Sequence, residues 1–470
     1  MNNFTFLFYD YETFGIHTAL DKPAQFACIR TDINLNIVDI PLEFYCFPPA
    51  DYLPDPISIL VTGISPSYTK KYGLNEFEFS NKIHKQFSKP NTCIIGYNNI
   101  YFDDEITRNI FYRNFIDPYE WSWKRNNSRW DILDVLRACY ALRPNGINWP
   151  FKENYKTPSF KLSDISKSNK IKHNQVHNAI SDVKATIKVA KLLKCKQPKL
   201  FNYFFKYRKK KELFKIIDIV NIKPLVYVSR FFGSIRSNIS IIAPIAWSIY
   251  NSNVLIGFDL VKNFENFLKK FLESTVKHLN YKTLFEQGIV FIHINRCPIL
   301  APINVIDLKK MLEIGINYSL YRKNLLLIRS SFYLKNKIKY VNRDFVISKQ
   351  NNVDLQIYDG FFSNAEKKII KILNVSLKNN IFDRNIFISN NKIKNLFMRC
   401  IARNYPHMLN DKENFFWMKY CKKVQNTTNI HEYTKNILHL LKLNKNNFKN
   451  ILLLKDLLRY VNQFRKNFFS

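Results

Sequence analysis

The stretch Phe4-Thr-Phe-Leu-Phe-Tyr-Asp-Tyr-Glu-Thr-Phe14 begins as an apolar, aromatic run and then turns acidic. Phe4 to Tyr9 reads as a short buried strand. Strand side chains alternate with a period of two, so Asp10 and Glu12 project to one face at the strand's end. Two carboxylates on one face can grip one cation, although Asp-x-Glu also recurs as an ordinary solvated strand end. The pair gains meaning from what the rest of the chain sets beside it.

Two further elements carry acids in the same style. Cys93 to Gly96 reads as a second buried strand, and it leads into Tyr97-Asn-Asn-Ile-Tyr-Phe-Asp103-Asp-Glu105. Asp103 and Asp104 suit a helix N-terminus, where the dipole favours negative charge; that accounts for one carboxylate but not for a strand delivering it among aromatics. Farther on, His177-Asn-Ala-Ile-Ser-Asp182 leads into a helix read from Ala179 to Leu193. Five residues at about 100° each would put His177 and Asp182 roughly 140° apart on one helix, so His177 is placed on the loop before it. Asp182 neighbours Ala179 and Thr186 at the margin of the apolar face, where a carboxylate needs a partner such as a metal.

In this order and spacing the three elements resemble the three motifs of the DEDDh proofreading-exonuclease superfamily: Asp-x-Glu, a strand ending in Phe-Asp, and His-x4-Asp. The resemblance is closest to the bacterial exonuclease I family. It rests on Tyr9-Asp-Tyr-Glu-Thr-Phe14, Ile95-Gly-Tyr-Asn-Asn99, Phe102-Asp-Asp-Glu105, Thr107-Arg-Asn-Ile-Phe-Tyr-Arg-Asn-Phe115 and Asp134-Val-Leu-Arg-Ala-Cys-Tyr-Ala-Leu-Arg-Pro144. It is dense over the first 200 or so residues and thinner beyond, where Val353-Asp-Leu-Gln-Ile-Tyr-Asp-Gly-Phe-Phe-Ser363 still matches. No motif position departs from the family's pattern.

The resemblance implies an RNase H-like exonuclease domain with a mixed central sheet, an SH3-like α+β barrel domain and an all-α C-terminal domain. It also implies processive 3′→5′ hydrolysis of single-stranded DNA to 5′-mononucleotides, in repair and recombination. Carried over residue by residue, Asp10, Glu12 and Asp182 bind metal, Asp103 completes the carboxylate set and His177 activates water, while Glu12 also serves catalysis and substrate binding. Two Mg²⁺ ions per site are the implied cofactor, with Mn²⁺ as a substitute. The implied partner, besides the strand, is the acidic C-terminal tail of the single-stranded DNA-binding protein, and a monomer is expected. Physics supports the ion requirement: four carboxylates about 5 Å apart repel by roughly 3 kcal/mol per pair at an effective dielectric near 20. Divalent cations relieve that repulsion and clamp the oxygens of an in-line displacement.

Composition points the same way. The 72 Lys and Arg against 37 Asp and Glu leave a net charge of +35, which suits a polyanionic partner. An AT-rich genome is a second source of lysine, since Asn, Ile, Phe and Tyr are abundant too. Between Arg108 and Arg143 basic and aromatic residues interleave, the composition of a non-sequence-specific single-strand groove. Arg108, Tyr119, Trp123, Arg137 and Lys161 are the candidate strand contacts, while about half of the aromatics there are expected in the core.

Organisation follows from periodicity. The first 196 residues alternate strand and helix signals, an α/β pattern. Gln197-Pro198 and the basic run Lys206 to Lys211, expected to be solvated, mark a boundary. Residues 197–350 read as a small α+β or barrel-like module, and 351–470 as helical, beginning at the capping-box spacing Ser363 to Glu366. Eight scattered cysteines without a CxxC pair suit reduced thiols in a cytoplasm. Neither a signal peptide nor a membrane span is expected. An enzyme of this class acting on short RNA needs no extension beyond residue 196, and a decayed nuclease would not keep all five motif residues.

Overall fold

The computed structural model describes residues 4–152, 157–273, 281–313, 315–341, 350–379, 388–427 and 429–469. The chain forms two compact units. One comprises residues 1–127, 174–184 and 348–470, and the other residues 128–173 and 185–347.

In the first unit, strands β1 (Thr5–Thr13), β2 (Pro23–Thr31), β3 (Leu42–Tyr45) and β4 (Thr92–Gly96) lie in the order β3-β2-β1-β4. β1 runs antiparallel to β2 and parallel to β4, so the sheet is mixed. Phe6, Leu7 and Phe8 are all buried because a central strand is covered on both faces. From Tyr9 onward the faces differ. Tyr9 and Tyr11 join Leu7, Phe26, Phe79 and Phe87 in one core, which sends Asp10 and Glu12 to the other side.

The parallel pairing of β1 with β4 runs from Thr5 opposite Thr92 to Phe8 opposite Ile95. Gly96 ends β4, and a Cβ there would lie 2.6 Å from that of Asn99. The close approach lets Asn99 Oδ1 accept the Gly96 amide at 3.2 Å and turns the chain toward the helix Asp103–Arg113. The acidic end of β1 thus projects past its parallel neighbour, at the carboxyl ends of parallel strands where α/β sheets place ligands.

The C-terminal helices Asn364–Lys378, Asn391–Asn404, Asp411–Thr427, Ile430–Leu443 and Phe448–Phe469 belong to the same unit. The capping box is formed: Ser363 Oγ accepts the Glu366 amide at 3.2 Å and Glu366 Oε2 accepts the Ser363 amide at 2.7 Å. Leu373, Ile393, Leu396, Phe397 and Ile401 pack on Phe77, Tyr112 and Phe115, and Ile437, Leu454 and Leu457 pack on Phe14, Ala24 and Ile59. Packing therefore fuses residues from 351 onward with the β1 sheet.

That second unit holds a five-stranded antiparallel sheet in the order β9-β5-β6-β7-β8, made of β5 (Leu225–Val228), β6 (Ile239–Trp247), β7 (Val254–Asp259), β8 (Ile289–His293) and β9 (Ile299–Pro302). The basic run before it is not wholly solvated, contrary to expectation. Arg208 is buried, with Nε donating to Ser128 Oγ at 3.1 Å and its guanidinium on the Phe205 ring, and Lys210 Nζ donates to Asn253 Oδ1 at 2.6 Å. A cation can enter the packing where its donors meet acceptors. All eight cysteines are free and all but Cys195 are buried. Among the described residues no helix is long and apolar enough to cross a membrane.

Candidate active site

Backbone hydrogen bonding sets the first half of the site. Beyond Phe8 the edge of β1 that faced β4 is open, and the Tyr11 amide donates to Asp103 Oδ1 at 3.2 Å. One bond thus seats Asp103 between the two acids of β1. Its helix is held by the opposite face of the same strand. Tyr9 Oη donates to Asp104 Oδ1 at 2.5 Å, Asn99 Nδ2 donates to the same oxygen at 3.1 Å, and Tyr11 Oη lies 3.0 Å from Thr107 Oγ1. Tyr9 and Tyr11, which alternate with the acids along β1, are therefore the clamps that orient Asp103.

The second half arrives on the helix Ala179–Lys196. Gln25 lies opposite Glu12 in the β1–β2 register, and its Oε1 accepts the Ala179 amide at 3.1 Å, one of the otherwise unpaired donors at the start of a helix. Its Nε2 donates to Glu43 Oε1 at 2.6 Å. Asn178 Oδ1 caps the helix by accepting the Ser181 amide at 3.2 Å. His177 sits in the turn just before, as its spacing from Asp182 requires, with φ +61°. A left-handed backbone at a non-glycine residue costs about 1–3 kcal/mol and tends to mark functional sites. Here it turns the imidazole toward the carboxylates. Ligand atoms of Glu12, His177 and Asp182 all lie within 4.8 Å of one another.

The electrostatics are those of a cation site. Burial raises the Asp10 carboxyl well above its ordinary range, with Asp103, Glu12 and Asp182 adding to the shift. Glu12 is 8% exposed, and burial, then Asp182 and Asp103, push it up to about 8. Carboxylates that raise one another in this way hold excess negative potential that a divalent ion offsets. Oxygen donors with one imidazole fit such an ion.

The candidate strand contacts divide between the units. In the first, Trp123 is 62% exposed, whereas Arg108 is 8% exposed. Arg108 Nη1 donates to Glu105 Oε1 at 2.6 Å, and its guanidinium lies 5.6 Å from the centre of the half-buried Tyr119 ring. In the second unit Arg137 Nη1 donates to Asp134 Oδ1 at 2.6 Å, and exposed Lys161 immediately precedes the helix Leu162–Ser168. Trp121 and Trp130 are core residues. Sequence reasoning missed Gln25, Tyr9, Tyr11 and Asn99 as positioning groups; a polar Gln within the strand Pro23–Thr31 was the available signal.

Comparison with known proteins gives three family matches along the chain: Exonuclease over residues 7–190, Exonuclease I SH3-like domain over 208–344 and Exonuclease I C-terminal domain over 351–464. The chain is 51% identical over 467 residues to exodeoxyribonuclease I of Buchnera aphidicola subsp. Baizongia pistaciae, covering 99% of this chain and 97% of that one. The zinc ion-bound Escherichia coli exonuclease I–single-stranded DNA complex superposes with a TM-score of 0.90 at 42% identity, covering 98% of this chain and all of that one. A crystal structure of SSB and exonuclease I with the inhibitor CFAM matches with a TM-score of 0.89 at 41% identity, again over 98% of this chain and all of that one.

Proposed function

The chain belongs to the exodeoxyribonuclease I family, and from that premise we propose that it hydrolyses single-stranded DNA processively from the 3′ end, releasing 5′-mononucleotides. One observation carries the reading: the open edge of β1 seats Asp103 beside Asp10 and Glu12, and the His177 turn delivers an imidazole and Asp182 to the same point.

Asp10, Glu12 and Asp182 hold two divalent cations, Mg²⁺ with Mn²⁺ as a substitute, and Asp103 completes the set. When bound, the ions supply Lewis-acid stabilisation of charge on the phosphoryl and leaving oxygens. His177 lies at the exposed rim and takes the proton from the attacking water. As the new P–O bond forms, the bond from phosphorus to the 3′ oxygen of the preceding nucleotide breaks, leaving a shortened strand with a 3′ hydroxyl. Glu12, buried between Asp182 and Asp103, also faces the terminal nucleotide.

Strand contacts come from Arg108, Tyr119, Trp123, Arg137 and Lys161, with Arg108 acting through Tyr119 and Glu105. The +35 net charge supports single-stranded DNA and an acidic protein tail, of the SSB kind, as partners of a monomeric cytoplasmic enzyme serving repair and recombination. Functional domains are assigned to residues 1–196, 197–350 and 351–470.

The test is digestion of a 5′-labelled single strand with Mg²⁺ and with EDTA, comparing oligo(dT) with oligo(U). Mononucleotide release with Mg²⁺ and dT alone is expected. A protein that binds the strand yet releases nothing with Mg²⁺ or Mn²⁺ is not this enzyme.

A further inference from the structure

Glu43 stands in β3, at the edge of the sheet. Leu42 and Phe44 pack on the core that holds Tyr9 and Tyr11, which turns Glu43 and Tyr45 to the face that carries Glu12. The register continues that row, since Tyr45 lies opposite Gln25 and Gln25 opposite Glu12. A charge on an edge strand ordinarily does no more than discourage pairing with another chain, and Glu43 is exposed. Its partner sets it apart: the side-chain amide that donates to Glu43 belongs to Gln25, which is fully buried.

A glutamine amide fits its pocket either way round, and its neighbours decide which end goes where. Here two of them allow only one answer. The Ala179 N–H can only donate, and it meets Gln25 Oε1 at 3.1 Å; the Glu43 carboxylate accepts, and it meets Gln25 Nε2 at 2.6 Å. Tyr45 takes its role from Glu43 as well. Its hydroxyl donates to Glu43 Oε1 at 3.2 Å, which leaves a lone pair for Gln25 Nε2 at 3.3 Å. Turned round, the Gln25 nitrogen would face the Ala179 N–H, donor against donor. Ala179 opens the helix, two residues after His177 and three before Asp182. Glu43 therefore sets which end of Gln25 faces the helix, and Gln25 ties down the start of that helix beside the His177 turn.

Resting on the reading that the chain hydrolyses single-stranded DNA with His177 as the proton acceptor, we propose that Glu43 is a positioning residue: its carboxylate holds the Gln25 amide with the oxygen toward Ala179, and through that bond keeps the His177 turn against the carboxylates. Glu43 acts through Gln25 and not on the strand itself. Its contribution is to the rate of the hydrolytic step and to the closure of the helix start, and strand binding does not depend on it.

The experiment uses the full chain and two substitutions. Glu43→Gln still offers an oxygen to Gln25 Nε2, whereas Glu43→Lys puts a donor there and drives the amide to turn round. In EDTA, hydrogen–deuterium exchange of a peptide covering residues 174–184 should show the Ala179 amide exchanging about 2- to 13-fold faster in Glu43→Lys, the shift that loss of one net hydrogen bond gives, and at the wild-type rate in Glu43→Gln. With Mg²⁺, single-turnover digestion of a 5′-labelled dT strand should slow by about the same factor in Glu43→Lys and recover in Glu43→Gln, while strand affinity in EDTA does not fall. A double-mutant cycle separates positioning from a general disturbance of the site: in a His177→Ala background, Glu43→Lys should cost nothing further. Unchanged Ala179 exchange and an unchanged rate in Glu43→Lys overturn the proposal, as does an equal loss when His177 is already absent. Failure of the wild-type protein to hydrolyse the strand counts against the enzymatic reading instead, since the exchange arm needs no turnover.

Discussion

Replacing Glu12 by Gln separates the electrostatic cost of the site from its use. Glu12 is buried, and its folded carboxyl titrates near 8 against an ordinary value of 4.5, with burial the largest cause, then Asp182 and Asp103. For an acid whose folded value is raised, the unfolded chain gives up its proton first. Stability is therefore full below about 4.5, falls as pH rises toward 8, and levels off above. At about 1.36 kcal/mol per unit the shift amounts to roughly 5 kcal/mol, and mutual adjustment among the neighbouring acids reduces this to about 2–5 kcal/mol. Glu12→Gln keeps the shape and an acceptor oxygen but has no proton to lose. Urea unfolding in EDTA, followed by circular dichroism at pH 5, 7 and 8.5, should give near-equal stabilities at pH 5 and a variant more stable by about 2–5 kcal/mol at pH 8.5. Adding Mg²⁺ at pH 8.5 should narrow or close that gap, because the wild type gains binding energy that the variant largely forgoes, about 2.7 kcal/mol at a hundredfold excess over Kd. Parallel pH curves for the two proteins in EDTA would refute the argument that this cluster stores repulsion for a cation.

Asp10→Ala should nearly abolish hydrolysis while leaving single-strand affinity largely intact; substantial Mg²⁺-dependent turnover would rule out the metal role of Asp10. His177→Ala should lose about 10² to 10⁴ in rate together with the acid limb of the pH–rate profile, and an unchanged profile would make His177 structural. Arg403→Met should destabilise the chain by about 3–5 kcal/mol in a urea titration, because Arg403 bonds both Asp51 and Asp354 in a site where all three side chains are no more than 7% exposed. Adding Asp51→Asn and Asp354→Asn should recover much of that loss, and a triple variant no better than Arg403→Met would show that charge is not what the junction balances.

The site was legible because its residues come in short local patterns. Alternation in the strand put Asp10 and Glu12 on one face, and helical geometry put His177 ahead of the helix bearing Asp182; both follow from bond geometry within a few residues. What the sequence hides is pairing across long separations. Nothing near Arg403 points to Asp51, 352 residues away. Nor does a basic residue among aromatics say whether its guanidinium meets a carboxylate, as Arg108 meets Glu105, or a phosphate. The same limit explains the basic run: Arg208 is buried because Ser128 happens to lie within reach of it. Nor does any local pattern show that the C-terminal helices complete cores begun by Phe14, Phe77 and Tyr112.

The two halves of the site are not held equally. Asp10, Glu12 and Asp103 are fixed by strand pairing, by the Tyr11 amide and by the tyrosine clamps on Asp104 and Thr107, so moving them means breaking the sheet or several buried bonds together. His177 hangs from one left-handed turn, whereas Asp182 rides the helix Ala179–Lys196, whose start the Gln25 bond to the Ala179 amide ties to the strand beside Glu12. A buried amide bond of this kind is worth about 0.5–1.5 kcal/mol, comparable with the cost of the turn it faces. Small energies thus decide whether the imidazole meets the carboxylates, whereas the acids of β1 stay in place regardless. Such an arrangement keeps the cation grip permanent and leaves the proton acceptor as the adjustable part, at the exposed rim where each successive phosphodiester must be presented.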